Sequence, residues 1–243
     1  NFKNLGIQEI SYEVTVTDNC GNQKTKVGTA KVCSDSKFKI DLDGYNDNTQ
    51  TTVYKKGTAD CTVTYITTGE NDIDSTTITS ELKNLFADEY KDISVNDTLE
   101  WVSDKNGCYT AKVTLTSGDN EYNLGLLKDS TANSNLPDKL VFDTIAPQIT
   151  VSYNDKNDVH NEKYFSKKRK AEIKVEEKNF DPDRVRVDIK ANGNDYSVSL
   201  NWKTDDQLTY YTEVTFKNEN DYTNYSFGIS CIDKSENKNE PVY

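Results

Sequence analysis

The sequence predicts an all-β fold made of tandem β-sandwich modules, with a short helical insertion in the first complete module. Three observations predict it. Apolar residues alternate with polar ones in short runs. Asn, Asp, Gly and Ser separate those runs, as turn chemistry requires. One pattern of motifs then returns along the chain, the signature of repeated modules.

The alternation is clearest late in the chain. Tyr210, Thr212, Val214 and Phe216 fall on one face, as do Tyr225, Phe227, Ile229 and Cys231. Ala171/Ile173/Val175 and Val185/Val187/Ile189 follow the same period of two. Successive residues of a strand point to opposite faces, so each run offers one side to a core.

The repeat sets the domain organisation. The stretch from Trp101 to Leu115 matches that from Trp202 to Phe216, with Val113 at the place of Val214. Phe38 to Asp47 matches Ile149 to Asp158, and Val53-Tyr54 matches Tyr164-Phe165. Ala59, Cys61 and Val63 match Ala171, Ile173 and Val175. The segments opening at Tyr122 and Tyr225 both end in D-x-x-x-N, at Asp129–Asn133 and Asp233–Asn237. A third such ending is Asp18–Asn22. Residues 1–36 are therefore expected to be the closing strands of a preceding or truncated module. Residues 37–146 form one module and 147–243 the next. Ser34–Ser36 and Asp143–Pro147 are the joints, and Pro147 stiffens the second by fixing one φ.

One segment departs from the β pattern. Leu82, Leu85, Phe86 and Tyr90 recur at helical spacing within 80–91, with Ser80 placed to cap. The stretch from Val63 to Trp101 exceeds its counterpart, Val175 to Trp202, so the helix is expected as an insertion between strands. These four residues are the expected partner-binding candidates.

Composition narrows the function. The chain has 243 residues, a net charge of −12, 34 % hydrophobic and 29 % charged residues. A strongly acidic chain lacks the clustered cations that phosphate binding needs, which argues against nucleic acid and anionic membranes. The imbalance is concentrated in residues 37–146. Lys167–Lys170 is one basic run, read as a solvated loop or strand start, with a docking patch for an acidic partner as the alternative. No apolar run is long enough to span a membrane. Met is absent and no signal-like segment opens the chain, so a piece of a longer protein is expected.

No catalytic, cofactor or metal-ligating set stands out. His160 is the lone histidine, in a polar stretch expected to be a solvated loop, and no G-x-S-x-G surrounds a serine. The acidic residues include no pair whose spacing points to glycoside hydrolysis. Asp41–Asp47 invites a calcium reading. An EF-type loop needs Gly sixth and Glu twelfth; here Gly44 is fourth and Thr52 twelfth, leaving an Asx-rich turn or a looser site between modules. The five cysteines, Cys20, Cys33, Cys61, Cys108 and Cys231, include no C-x-x-C pair. A Cys61–Cys108 bridge stays open. Trp101 and Trp202, at matched positions, read as packing residues. The D-x-x-x-N endings read as turns between the last two strands.

Taken together these residues resemble the bacterial immunoglobulin-like modules of large Gram-positive cell-surface proteins. The second copy carries the likeness: D-T-x-A-P at Asp143–Pro147, V-S-Y-N at Val151–Asn154, K-Y-F at Lys163–Phe165, E-K-N-F-D-P-D-R-V at Glu177–Val185, and the closing D-x-x-x-N. The first copy lacks N-F-D-P and keeps only the frame. The resemblance implies tandem immunoglobulin-like sandwiches and a non-catalytic, extracellular binding or spacer region on a bacterial surface. The expected partner is a host extracellular protein or glycan, immunoglobulin among them, alongside neighbouring modules of the same chain. A carbohydrate-binding or accessory region of a larger secreted glycosidase is the alternative, favoured by exposed tryptophans. A host immunoglobulin-binding module is the other.

Overall fold

The computed structural model describes residues 8–32, 38–46, 50–67, 73–104, 107–132, 134–153, 159–160, 164–165, 168–217 and 223–243. Strands take up 50 % of the chain and helix 11 %, and the sheets are antiparallel wherever their register is defined, so the all-β class is observed. The chain divides into two compact units. One holds residues 1–53 and 57–142, the other 54–56 and 143–243. The joint Ser34–Ser36, with Cys33 and Lys167, lies outside the described residues.

The first unit opens with a hairpin, β1 (Gln8–Thr17) and β2 (Gln23–Val32), paired from Gln8↔Val32 to Thr17↔Gln23. Tyr12, Val14 and Val16 alternate along β1 and are all at least half exposed. The ring of Tyr12 lies across Gly28, where a Cβ would stand 2.6 Å from it.

The main sheet contains β3 (Phe38–Leu42), β5 (Thr58–Ile66), β8 (Cys108–Thr116) and β6 (Ser94–Val95) in that order, and β7 (Val102–Ser103) also pairs with β8. A second sheet runs β4 (Thr52–Lys55), β10 (Lys139–Phe142), β9 (Asn120–Asn123). Alternate residues of β3, β5 and β8, from Phe38 to Leu115, meet Leu140 and Phe142 in one core. Two helices join it, α1 (Ser75–Phe86) and α2 (Gly125–Ser130).

Helix α1 begins upstream of the expected segment 80–91. Asp74, not Ser80, caps it, its carboxylate accepting the Thr76 N–H. Ile78 extends the apolar spacing of Leu82 and Phe86 back by one turn, and all three are buried. Among the described residues no strand stands between β5 and α1. The helix follows β5 and precedes the next strand at Ser94–Val95, so it lies between strands, where the second unit has a strand.

The four expected contact residues are mostly core. Leu82, Phe86 and Tyr90 are buried, and Leu85 is half-buried against the same core. Their apolar surface is spent on packing, which corrects their assignment to a partner surface. Phe86, Tyr90, Tyr122 and Phe142 form a chain of ring contacts at 6.1–6.3 Å. The Tyr90 hydroxyl donates to the Asn123 carbonyl and accepts the Leu127 N–H, so its burial leaves no polar atom orphaned.

Cys61 and Cys108 do not bridge. The β5–β8 register places Cys61 opposite Val113 and Cys108 opposite Ile66, too far apart along the ladder for a disulfide. Asp41 and Asp43 do not gather into an open oxygen cluster either. Lys39 binds Asp41 at 2.5 Å and Lys112 binds Asp43 at 2.7 Å.

Among its described residues the second unit has two sheets and a ribbon. The first sheet is ordered β11 (Gln148–Tyr153), β14 (Arg169–Glu176), β18 (Thr209–Phe216), β17 (Lys203–Thr204). The second is β16 (Asn194–Asp195), β15 (Val185–Ala191), β19 (Tyr225–Cys231). The ribbon is β12 (Val159–His160) with β13 (Tyr164–Phe165), so His160 lies in a strand rather than a loop. Val242 bridges Ile229 beyond the last strand. Ala171, Ile173, Val175 and Val214 of one sheet meet Ile189, Ile229 and Cys231 of the other in a shared core. This is a β-sandwich-like arrangement.

The two units differ in register. Ala59 stands opposite Leu115, but Ala171 stands opposite Val214 and not Phe216. A two-residue slip keeps each side chain on its own face, so the core pattern survives it. Both tryptophans are half-buried. Trp101 packs on the first core and donates to Thr79 Oγ1, and Trp202 meets Phe180 at 5.0 Å. The basic run is a strand start: Arg169 lies over Tyr153 and Lys170 pairs with Glu213.

Leu82 fixes the helix to the core. Leu82→Ala is expected to destabilise the first unit by about 2–5 kcal/mol, and Leu85→Ala by clearly less. Urea unfolding followed by far-ultraviolet circular dichroism checks the ranking.

Candidate functional site

Two D-x-x-x-N segments fold into the same turn. In the first, Asp18 Oδ1 accepts the N–H groups of Cys20 and Asn22, and Asn22 Nδ2 donates to Asp18 Oδ2. In the second, Asp233 Oδ1 accepts from Ser235 and Asn237, and Asn237 Nδ2 donates to Asp233 Oδ2. The aspartate N–H donates to the asparagine carbonyl in both. The fourth residue has a left-handed backbone in both, Gly21 at φ 85 and Glu236 at φ 70. A non-glycine residue pays about 1–2 kcal/mol for that conformation. Arg184 offsets it by gripping both Glu236 carboxylate oxygens at 2.8–2.9 Å.

The segment from Asp129 does not make this turn. Its aspartate lies in α2, and its fourth residue is Ala132, which lacks glycine's freedom at positive φ. Asn133 lies outside the described residues.

The surroundings of the two matching turns are opposite. The Asp18 turn is exposed, and its hydrogen bonds from Asn22 and Cys20 hold the carboxyl below its ordinary range. Asp233 has the same bonds, yet burial pushes its carboxyl up, with Asp143 adding repulsion. Its relative exposure is 0 %.

Three separate segments meet at Asp233. Asp143 comes from the D-T-I-A-P stretch, where its Oδ1 accepts the Ile145 N–H. Glu177 follows β14 and accepts the Asn179 N–H at 2.7 Å. The side chain of Asn179 donates to Asp143 Oδ2 at 2.5 Å. Asn237 donates to the Asp143 carbonyl at 2.9 Å. The Lys234 N–H donates to the Asn179 carbonyl, closing the circuit of loops.

One carboxylate oxygen from each of Asp143, Glu177 and Asp233 lies within 4.8 Å of the others, and all three side chains are buried. Among the described residues none of the three is in an ion pair. The Arg184 guanidinium donates to the Asp233 carbonyl, and its ion pair is with Glu236. Burial pushes the Glu177 carboxyl up to about 7; the Asn179 N–H opposes this and the charges of Asp143 and Asp233 add to it. The Cys231 thiol is pushed up to about 12, first by burial and then by Asp233 and Glu177. A proton or a hard cation is what such a site takes up.

Sequence reading singled out none of these acids as ligands. Their segments were legible as motifs: D-T-x-A-P, E-K-N-F-D-P and D-x-x-x-N each contribute one carboxylate. Read separately, each is an ordinary turn.

A pH dependence follows. Glu177 binds its proton more tightly in the folded chain than in the unfolded one. Without divalent cations, the second unit is therefore most stable below about pH 4.5, as far as this group is concerned. That contribution is lost as pH rises toward 7. Asp143, Asp233 and Cys231 lie near the group, and Asp233 acts in the same direction. Glu177→Gln is expected to flatten the slope, as read by thermal unfolding in chelator between pH 5 and 8. Comparison with protein-family models, curated proteins and solved structures returns no match, so the site stands on its geometry and chemistry.

Proposed function

We propose that the chain is a non-catalytic, extracellular segment of a bacterial cell-surface protein, made of tandem immunoglobulin-like modules and serving as a binding or spacer region. The observation that carries this reading is the strand order of the second unit. Sheet β11–β14–β18–β17 has the order A-B-E-D, and β15 beside β19, with the Val242 bridge as edge, corresponds to C-F-G. The first unit repeats the four-strand order in β3–β5–β8–β6, with α1 at the place of strand C.

The hairpin β1–β2 fits the same reading as the closing strand pair of a preceding module. Its turn has the hydrogen bonds of Asp233–Asn237, and exposed Tyr12, Val14 and Val16 form what would be that module's inner face. Recognition would then use loops and strand edges, since the apolar side of α1 is occupied by the core. A host extracellular protein is the partner we favour over a glycan. Both tryptophans are half-buried against their cores, which weakens the reading as a carbohydrate-binding accessory region.

Immobilised full-length chain tests this against purified matrix proteins, immunoglobulins and mucin glycans, with a panel of glycoside and peptide substrates alongside. Saturable binding to a protein without turnover is expected. Turnover of any substrate would contradict the non-catalytic reading, and binding confined to glycans would move the chain to the accessory class.

A further inference from the structure

From the second unit we infer that Asp143, Glu177, Asp233 and Asn237 form a calcium site. The inference goes beyond the surface-module reading and stands without it.

The three carboxylates supply hard oxygen donors from three loops. Their mutual spacing within 4.8 Å suits oxygens around one ion, since calcium–oxygen bonds of 2.3–2.6 Å put opposite ligands about 5 Å apart. Acidic clusters on a surface are common and prove little. This one is buried, with Asp233 at 0 %, Asp143 at 5 % and Glu177 at 6 % exposure.

Asn237 provides the independent sign. It is 2 % exposed, and its Oδ1 has no hydrogen-bond partner. Its Nδ2 is held by the Asp143 carbonyl and Asp233 Oδ2, so the unsatisfied oxygen belongs to an amide anchored on two residues of the cluster. The Asp143 carbonyl only accepts, and Asp233 only accepts when ionised, so turning the amide would set Oδ1 against two acceptors around an ionised site. An orphaned buried acceptor on an amide bound to Asp143 and Asp233 points to a missing positive centre. Ser235 Oγ, in the same turn, is also buried without a partner.

The donor set selects the ion. It has no imidazole, and the one nearby thiol, Cys231, is outside the oxygen cluster, which disfavours zinc. Magnesium demands near-ideal octahedral geometry and keeps its waters, which a buried site of loop carboxylates serves poorly. Calcium accepts irregular shells of carboxylate and amide oxygens. The ion would tie the D-T-I-A-P stretch, the loop after β14 and the closing turn together. Among the described residues Asp18–Asn22 has the same turn without the other acids, so one calcium per chain is expected.

The test uses the full chain, stripped with chelator and dialysed against radioactive calcium, with unfolding followed in parallel in calcium, magnesium and chelator. Wild type is expected to retain one calcium per chain and to unfold several degrees higher in calcium than in equal magnesium. Glu177→Gln and Asp233→Asn should each weaken retention at least about tenfold, the scale set by losing even an outer-shell partner. Asp18→Asn should leave it unchanged. Failure of the wild-type chain to retain calcium at millimolar concentration overturns the inference, whatever the variants do. Equal retention by wild type and both acid variants overturns it as well.

Discussion

Three carboxylates buried within reach of one another are the constraint around which the second unit is arranged. Transfer of even one ionised carboxylate from water to a protein interior is costly unless a partner compensates. Asp143, Glu177 and Asp233 are buried together, and the Arg184 guanidinium that reaches the Asp233 carbonyl is paired with Glu236. The backbone N–H groups of Asn179, Ser235 and Asn237 supply part of the compensation. They do not supply a full positive charge. The remaining need must be met by protons or by a cation, and that choice decides how firmly three loops are joined.

The pair of D-x-x-x-N turns separates local from tertiary effects. Asp18 and Asp233 accept equivalent hydrogen bonds from equivalent positions, yet their carboxyls shift in opposite directions. Local sequence therefore sets the shape of the turn. What the turn is pressed against sets its electrostatics. Glu236 adds a detail of the same kind: it takes the strained position that Gly21 fills without strain, and Arg184 compensates from another element.

Much of the architecture was legible, because period-two alternation directly encodes which face a strand buries. Ala171, Ile173 and Val175 are all in the core, as their spacing implied. The helix was legible in kind but not in extent or role: Ile78 and Asp74 moved its start upstream, and Leu82, Phe86 and Tyr90 proved to be core. The pattern of an amphipathic helix does not say whether its apolar face meets its own domain or a partner. The carboxylate site was illegible for a different reason. Asp143 and Asp233 are far apart in sequence, and no spacing rule links a linker, a strand end and a closing turn. Only the sheet order brings them together.

The direct test is a crystal structure of the chain grown with calcium, with anomalous data collected. The account predicts a single anomalous peak bonded at about 2.3–2.6 Å to oxygens of Asp143, Glu177, Asp233 and Asn237. Carboxyl–carboxylate hydrogen bonds among the three acids, with no peak between them, would contradict it.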